Sequence, residues 1–219
     1  SQGILPAGLE MMDRLAIKAA EAFVNVGYPL DAEGLLICEL DGTDAEVQHQ
    51  IEKLRLILDK NNAIQVRVAT DAAERMQLWL GRKAAFPAVG RLAPDYYCMD
   101  GTIPRSELAA VLAQITKFSE QHGLDVANVF HAGDGNLHPL ILYDANKAGE
   151  IERAEAFGAD ILNLCIEVGG TITGEHGVGV EKIDQMCIQF TPEELELFHG
   201  VKSAFDESRI LNPGKAVPT

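Results

Sequence analysis

The sequence predicts an α+β fold, with helices layered on one mostly antiparallel sheet, and two observations predict it. Helical and strand periods alternate along the chain, and the segments between them are short, of the length that joins antiparallel neighbours. A parallel α/β sheet shares the alternation, so pattern alone leaves both arrangements open. The length of 219 residues is enough to bury a proper core, and we read it as one domain, residues 1–219.

Taken in order, Leu9, Met12, Leu15, Ala16, Ala19, Ala20 and Phe23 recur every three or four residues, which predicts an amphipathic helix from Gly8 to about Val26, ended by Gly27-Tyr28-Pro29. The apolar run Leu35 to Leu40, stopped by Asp41-Gly42, predicts a buried strand. Thr43 or Asp44 then caps a helix carrying Val47, Ile51, Leu54 and Leu58, with Asn61-Asn62 as its exit. Ile64 to Val68 alternates apolar and polar, as a strand with one face in the core does. Thr70-Asp71 caps a helix running through Met76, Trp79 and Leu80 to Arg82 or Phe86, and Tyr96 to Asp100 is the next strand.

Pro104 opens a helix over Glu107 to Gln121, with Leu108, Val111, Leu112, Ile115 and Phe118 on one face and His122-Gly123 as its stop. Strands Val126–Phe130 and Leu140–Tyr143 follow, then a long helix from about Ala148 to Val168, a short strand Thr171–Thr173, and two helices at about Val180–Phe190 and Pro192–Phe205.

The formal charge of −15 argues against a nucleic-acid surface, because a phosphate backbone requires clustered Lys and Arg. No apolar run is long enough to cross a bilayer, so direct membrane insertion is not expected. Cys38, Cys98, Cys165 and Cys187 are scattered without a CxxC pair, which reads as buried reduced thiols in a cytoplasmic chain. Neither a GxGxxG turn after a first strand nor a GxxxxGK[ST] loop is present, so no dinucleotide or triphosphate site is expected within the chain. The opening Ser1-Gln2-Gly3, without an initiator Met, reads as the start of a piece of a longer protein.

Chemistry concentrates in His131-Ala-Gly-Asp-Gly-Asn-Leu-His138, between the two strands, and in Gly174-Glu-His-Gly177 downstream. A tight polar turn with two glycines folds His138 back beside His131, and Glu175 adds a carboxylate. Two neutral imidazoles and one carboxylate leave coordination positions open on zinc, manganese or iron(II), as a catalytic site requires; structural zinc usually closes its shell with cysteine, and none lies here. A single histidine at a strand end is more often a hydrogen-bonded structural residue, and it is the pair, with the second acidic turn, that favours ligation. Asp134 reads as a turn former. Asn136 reads either as a turn residue or as a hydrogen-bond donor to ligand or substrate. If Glu175 faces the metal, His176 is left as a general base; as a fourth ligand it closes the site instead, and the sequence leaves the two roles unresolved. Arg82, at a helix end, suits a substrate carboxylate, and equally suits the helix dipole.

These motifs, with the closing Leu211-Asn-Pro-Gly-Lys215, resemble the C-terminal domain of FAD-linked oxidases of the vanillyl-alcohol oxidase superfamily. Leu78-Trp-Leu-Gly-Arg-Lys-Ala-Ala-Phe-Pro87 and Pro94-Asp-Tyr-Tyr-Cys-Met-Asp-Gly-Thr-Ile-Pro104 extend the likeness end to end, toward its glycolate-oxidising branch. The resemblance implies a duplicated ferredoxin-like cap domain that supplies most of the substrate site, over an FAD bound mainly by an N-terminal domain absent from this chain. It implies oxidation of glycolate or D-lactate to the 2-oxo acid by hydride transfer to the flavin. It further implies a divalent metal (Zn, Mn or Fe) on His131, His138 and Glu175, His176 as the base, Arg82 on the substrate carboxylate, and partner subunits through which any membrane association would come. Phe86 and Cys98 stand where relatives specific for a longer dicarboxylate place polar residues, which implies a small acid. On this expectation the isolated piece is catalytically silent. A stand-alone metal-binding or sensing domain, or a subunit-interaction module, is the alternative.

Overall fold

The computed structural model describes residues 3–218, and the opening Ser1-Gln2 lies outside them. The chain runs β1 (Gly8–Asp13), α1 (Arg14–Val24), β2 (Gly34–Glu39), α2 (Asp44–Lys60), α3 (Ala72–Lys83), α4 (Ala85–Val89), β3 (Asp95–Cys98), a 3-10 turn (Arg105–Glu107), α5 (Leu108–His122), β4 (Val126–Phe130), β5 (Pro139–Tyr143), α6 (Glu150–Glu167), α7 (Ile183–Gln189) and α8 (Pro192–Phe205). The strands form one five-stranded sheet in the order β2-β1-β4-β5-β3, and every pairing is antiparallel. The α+β expectation therefore holds. In the second half, β3, α5, β4, β5 and α6 follow the ferredoxin-like order, and the fourth strand of that unit is reduced to a bridge between Thr102 and Thr171.

Helices cover both faces of the sheet. Met12, Ala127, Val129, Leu140 and Leu142 meet α1 and α4 on one side, whereas Phe130 and Ile141 turn the other way, onto α5 and α6 with Val111, Ile115, Phe157 and Ile161. Successive residues of a strand point to opposite faces, so β4 and β5, covered on both, are apolar nearly throughout. Full burial of such Ile, Leu and Phe side chains contributes roughly 1.5–3 kcal/mol each. This doubly packed hairpin is the firm base from which His131 and His138 project.

Three segments differ from the periodic reading. Gly8–Asp13 is a strand, and the helix begins only at Arg14. Leu9, Met12, Leu15 and Ala16 fit a helical spacing by coincidence, and the real boundary is Asp13, whose carboxylate accepts the Ala16 N–H at 2.9 Å as an N-cap. Its other oxygen accepts Asn128 N–H and Nδ2, both at 2.8 Å, which ties β1 to β4. Ile64–Val68 forms no strand; Ile64 is exposed, and the alternation finds no partner. Thr171–Thr173 shrinks to the bridge already noted. Elsewhere the reading matches: Thr43 caps α2 in a capping box with Glu46, and β4 has the expected bounds. Among the described residues, no helix is long and apolar enough to cross a membrane.

Candidate active site

The β4–β5 connection closes on itself. His131 N–H donates to Asn136 O at 3.1 Å, Asn136 N–H returns to His131 O at 3.3 Å, and Asp134 N–H also reaches His131 O, at 3.1 Å. The two histidines are thereby set side by side, with ring centroids 5.2 Å apart. Gly135 makes the turn possible: its φ is +73°, and a Cβ there would lie 2.2 Å from Ile103 O. Gly135→Ala is expected to cost at least ~2 kcal/mol, because left-handed backbone strain adds to the clash with a carbonyl that cannot swing away. Calorimetry reads this as a Tm lowered by roughly 4–8 °C or more for a chain of this size; a shift under 1 °C would mean the turn relaxes.

The second turn is wrapped around Asp100, just beyond β3 and fully buried. Asp100 accepts the Thr173 hydroxyl at 2.6 Å, N–H groups of Gly174, Glu175 and His176 at 3.1, 3.1 and 2.9 Å, and Lys182 Nζ at 3.1 Å. Burial alone would raise its pKa; the hydrogen bonds from Thr173 and His176 and the charge of Lys182 outweigh it and hold the carboxyl well below the usual carboxylate range. Glu175 and His176 consequently stand out on the solvent side of this turn, about half exposed.

One carboxylate oxygen is where the pieces meet. Glu175 Oε1 lies 2.9 Å from His138 Nε2, 3.7 Å from His176 Nε2 and 3.8 Å from His131 Nε2. The His138 contact is short but off the line that a hydrogen bond needs, so both ring nitrogens of this nearly buried imidazole lack a hydrogen-bond partner among the described residues. Burial first, and the neighbouring His131 second, lower the His138 pKa and favour the neutral form. A buried, neutral, unpartnered imidazole beside a carboxylate is the donor set of a divalent metal, so the residues present fit one.

His131 is oriented from behind. Its Nδ1 meets Glu10 Oε1 at 2.8 Å, while Glu10 Oε2 accepts Arg82 Nε–H at 3.0 Å and is ion-paired with Nη2 at 2.8 Å. A carboxylate on Nδ1 fixes the ring and leaves Nε2 facing the site. Arg82 therefore sits behind His131, paired, with Nη1 free of hydrogen bonds among the described residues. Asn136 is buried, with Oδ1 3.4 Å from Thr102 Oγ1. Thr102, His131, Asp134, Asn136, Gly174 and Glu175 line a cavity of about 340 Å³.

The structure thus brings His131, His138, Glu175 and His176 together and places Asn136 on the cavity wall and Arg82 one residue removed from it. His138, Glu175, His176 and Asp100 offer ligand atoms within 4.8 Å of one another, with His131 just outside that set. Glu10, Asp100 and Lys182 escaped the reading of the sequence. Reading residues 8–13 as a strand puts Glu10 beside the site, but no local pattern marks it as functional. Arg91, in the loop after α4, stacks over the Phe23 ring at 4.2 Å.

Residues 1–216 match the family described as FAD linked oxidases, C-terminal domain. The chain is 61% identical over 219 residues to glycolate oxidase subunit GlcD of Escherichia coli (strain K12), covering 100% of this chain and 44% of that protein. It is 37% identical over 212 residues to the Bacillus subtilis (strain 168) GlcD subunit, covering 97% of this chain and 45% of that one. To the mitochondrial D-lactate dehydrogenase [cytochrome] of Arabidopsis thaliana it is 30% identical over 220 residues, covering 99% and 38%. The chain thus spans less than half the length of these relatives. Among solved structures, 4-ethylphenol oxidase from Gulosibacter chungangensis superposes with a TM-score of 0.68 at 16% identity, over 99% of this chain and 49% of that one. p-Cresol methylhydroxylase gives 0.65, also at 16%, over 95% and 46%. At that identity both speak to the fold alone.

Proposed function

The chain belongs to the FAD-linked oxidase C-terminal domain family, and from that premise we propose that it is the substrate- and metal-binding cap of a flavin-dependent oxidoreductase that converts glycolate or D-lactate to the 2-oxo acid. The names of the relatives support the substrate class. The observation that carries the site is the convergence of three imidazole Nε2 atoms on Glu175 Oε1 beside the cavity.

In this reading His131, His138 and Glu175 hold a divalent metal, zinc, manganese or iron(II), and FAD is bound chiefly by a separate flavin-binding region. When bound, the metal supplies Lewis-acid polarisation of the substrate hydroxyl, and the flavin supplies the acceptor for the C2 hydride. The chain's own residues do the rest. Glu10 holds the His131 ring with Nε2 forward. Arg82 offers the substrate carboxylate Nη1, the nitrogen that Glu10 leaves free, and Asn136 contributes a polar edge to the cavity wall. His176, exposed and adjacent to Glu175, takes the hydroxyl proton. Phe86, edge-on to His138 at 6.2 Å between ring centroids, is an apolar neighbour of the proposed ligands and supports an acid without a distal carboxylate. Two relatives are named as subunits, which supports partner chains in an oxidase complex; the proposed setting is the cytoplasm, with any membrane attachment coming through those partners.

Metal analysis and titration with Zn²⁺ or Mn²⁺ test the reading. About one equivalent is expected in the wild type, since the three proposed ligands make a single site, and His138→Ala or His131→Ala should remove it. A wild-type protein that binds nothing near stoichiometric would reject the ligand assignment.

A further inference from the structure

We infer that Asp100, clamped by Lys182, is the positioning residue that presents Glu175 and His176 to the site, and that it is not itself a metal ligand. The inference rests on the reading of Glu175 as ligand and His176 as base. By proximity alone Asp100 would be counted a ligand, because its oxygens lie among those of His138, Glu175 and His176. Its bonding says otherwise. Thr173 Oγ1, the N–H groups of Gly174 and His176 and Lys182 Nζ all meet Oδ2, more donors than the roughly two lone-pair sites of one carboxylate oxygen, so that the carboxylate is held as the hub of the turn. Glu175 N–H reaches both oxygens, at 3.1 and 3.2 Å, and Asp100 Oδ1 stands 3.8 Å from His138 Nε2.

The geometry explains what the carboxylate does. Consecutive N–H groups turned toward one point form an anion-binding concavity, and at residues 174–176 the anion is supplied by the protein. With all three N–H groups drawn inward, the side chains of Glu175 and His176 are directed outward, toward His131 and His138. Asp100 O also accepts Gly174 N–H at 2.9 Å, so the turn is gripped by backbone and side chain together. Lys182, itself buried, neutralises the charge and ties the turn to the head of α7. Thr173 extends the grip, since its hydroxyl donates to Asp100 and accepts Gly177 N–H at 2.9 Å.

The test compares Asp100→Asn, which keeps the shape but confronts the N–H groups with an amide NH2, with the milder Thr173→Val, in the full chain. Titration with Co²⁺ reads affinity and, through the d–d band, the ligand set; hydrogen exchange reads the amides of residues 174–176 without metal. Asp100→Asn is expected to weaken Co²⁺ binding about 10–100-fold, as loss of an outer partner of a ligand does, with the band unmoved and those amides exchanging faster. Thr173→Val should move both in the same direction by less, which keeps the test decisive if Asp100→Asn fails to fold. Unchanged affinity and exchange would overturn the inference, and so would a d–d band that shifts in Asp100→Asn but not in Thr173→Val, the mark of a lost ligand. A wild type that binds no Co²⁺ would count instead against the metal-site reading, while the exchange experiment still decides whether Asp100 holds the turn.

Discussion

Glu10→Ala should destabilise the fold by about 3–5 kcal/mol, the range for removing one partner of a buried ion pair. Arg82 and Glu10 have side chains only 10% and 11% exposed, and one Glu10 oxygen both accepts Arg82 Nε–H and forms the ion pair with Nη2. Without it a guanidinium remains buried and unpaired, a larger penalty than the net contribution of the pair itself. The double variant Glu10→Ala with Arg82→Met should therefore recover much of the loss, because removing both charges leaves no orphan. Denaturant unfolding of the two singles and the double gives the coupling. A single-variant loss below ~1 kcal/mol would show that water reaches Arg82 and that the pair is effectively a surface one.

His176→Ala should lower kcat by about 10²–10⁴-fold, the usual contribution of a positioned general base. Metal content distinguishes this from a ligand role. His176 Nε2 is 3.7 Å from Glu175 Oε1, and its ring is 5.0 Å from that of His138, distances that suit a base and a ligand equally, so metal content decides between them. If His176 is the base, the variant retains its metal while turnover of glycolate or D-lactate by the full-length protein collapses. Loss of the metal together with turnover would make it a ligand. Unchanged turnover with metal retained would remove it from the reaction.

Much of this was legible from residue patterns, because its causes are local. The β4 and β5 runs are apolar since both faces are covered, and the turn between them announces itself through Gly135 and two histidines eight residues apart inclusive. Thr43 and Asp71 are visible as caps because capping acts within one turn. What the patterns missed acts at a distance. Glu10 meets Arg82 and His131 across 72 and 121 residues, and Lys182 meets Asp100 across 82. No local period encodes such pairs. Glu10 was hidden further because apolar spacing runs without a break from a strand into a helix, and only Asp13 separates them. Ile64–Val68 erred in the opposite sense: alternation is a strand's signature only where another strand offers hydrogen bonds, and none does here.

The place of β1 in the sheet has a consequence for biogenesis. It lies between β2 and β4, and Met11 and Met12 pair with Phe130 and Val129. One long side of β1 thus waits for residues made far later, on the order of ten seconds at ~5–20 residues per second on a ribosome. An open strand edge is a template for pairing with another nascent chain. Glu10 and Asp13 supply two negative charges on that waiting strand, each of which finds its long-range partners, Arg82 and His131 for one and Asn128 for the other, only as the chain is completed. Until then the carboxylate that orients the site in the finished protein is a charge on an open edge, the kind of feature that discourages edge-to-edge pairing.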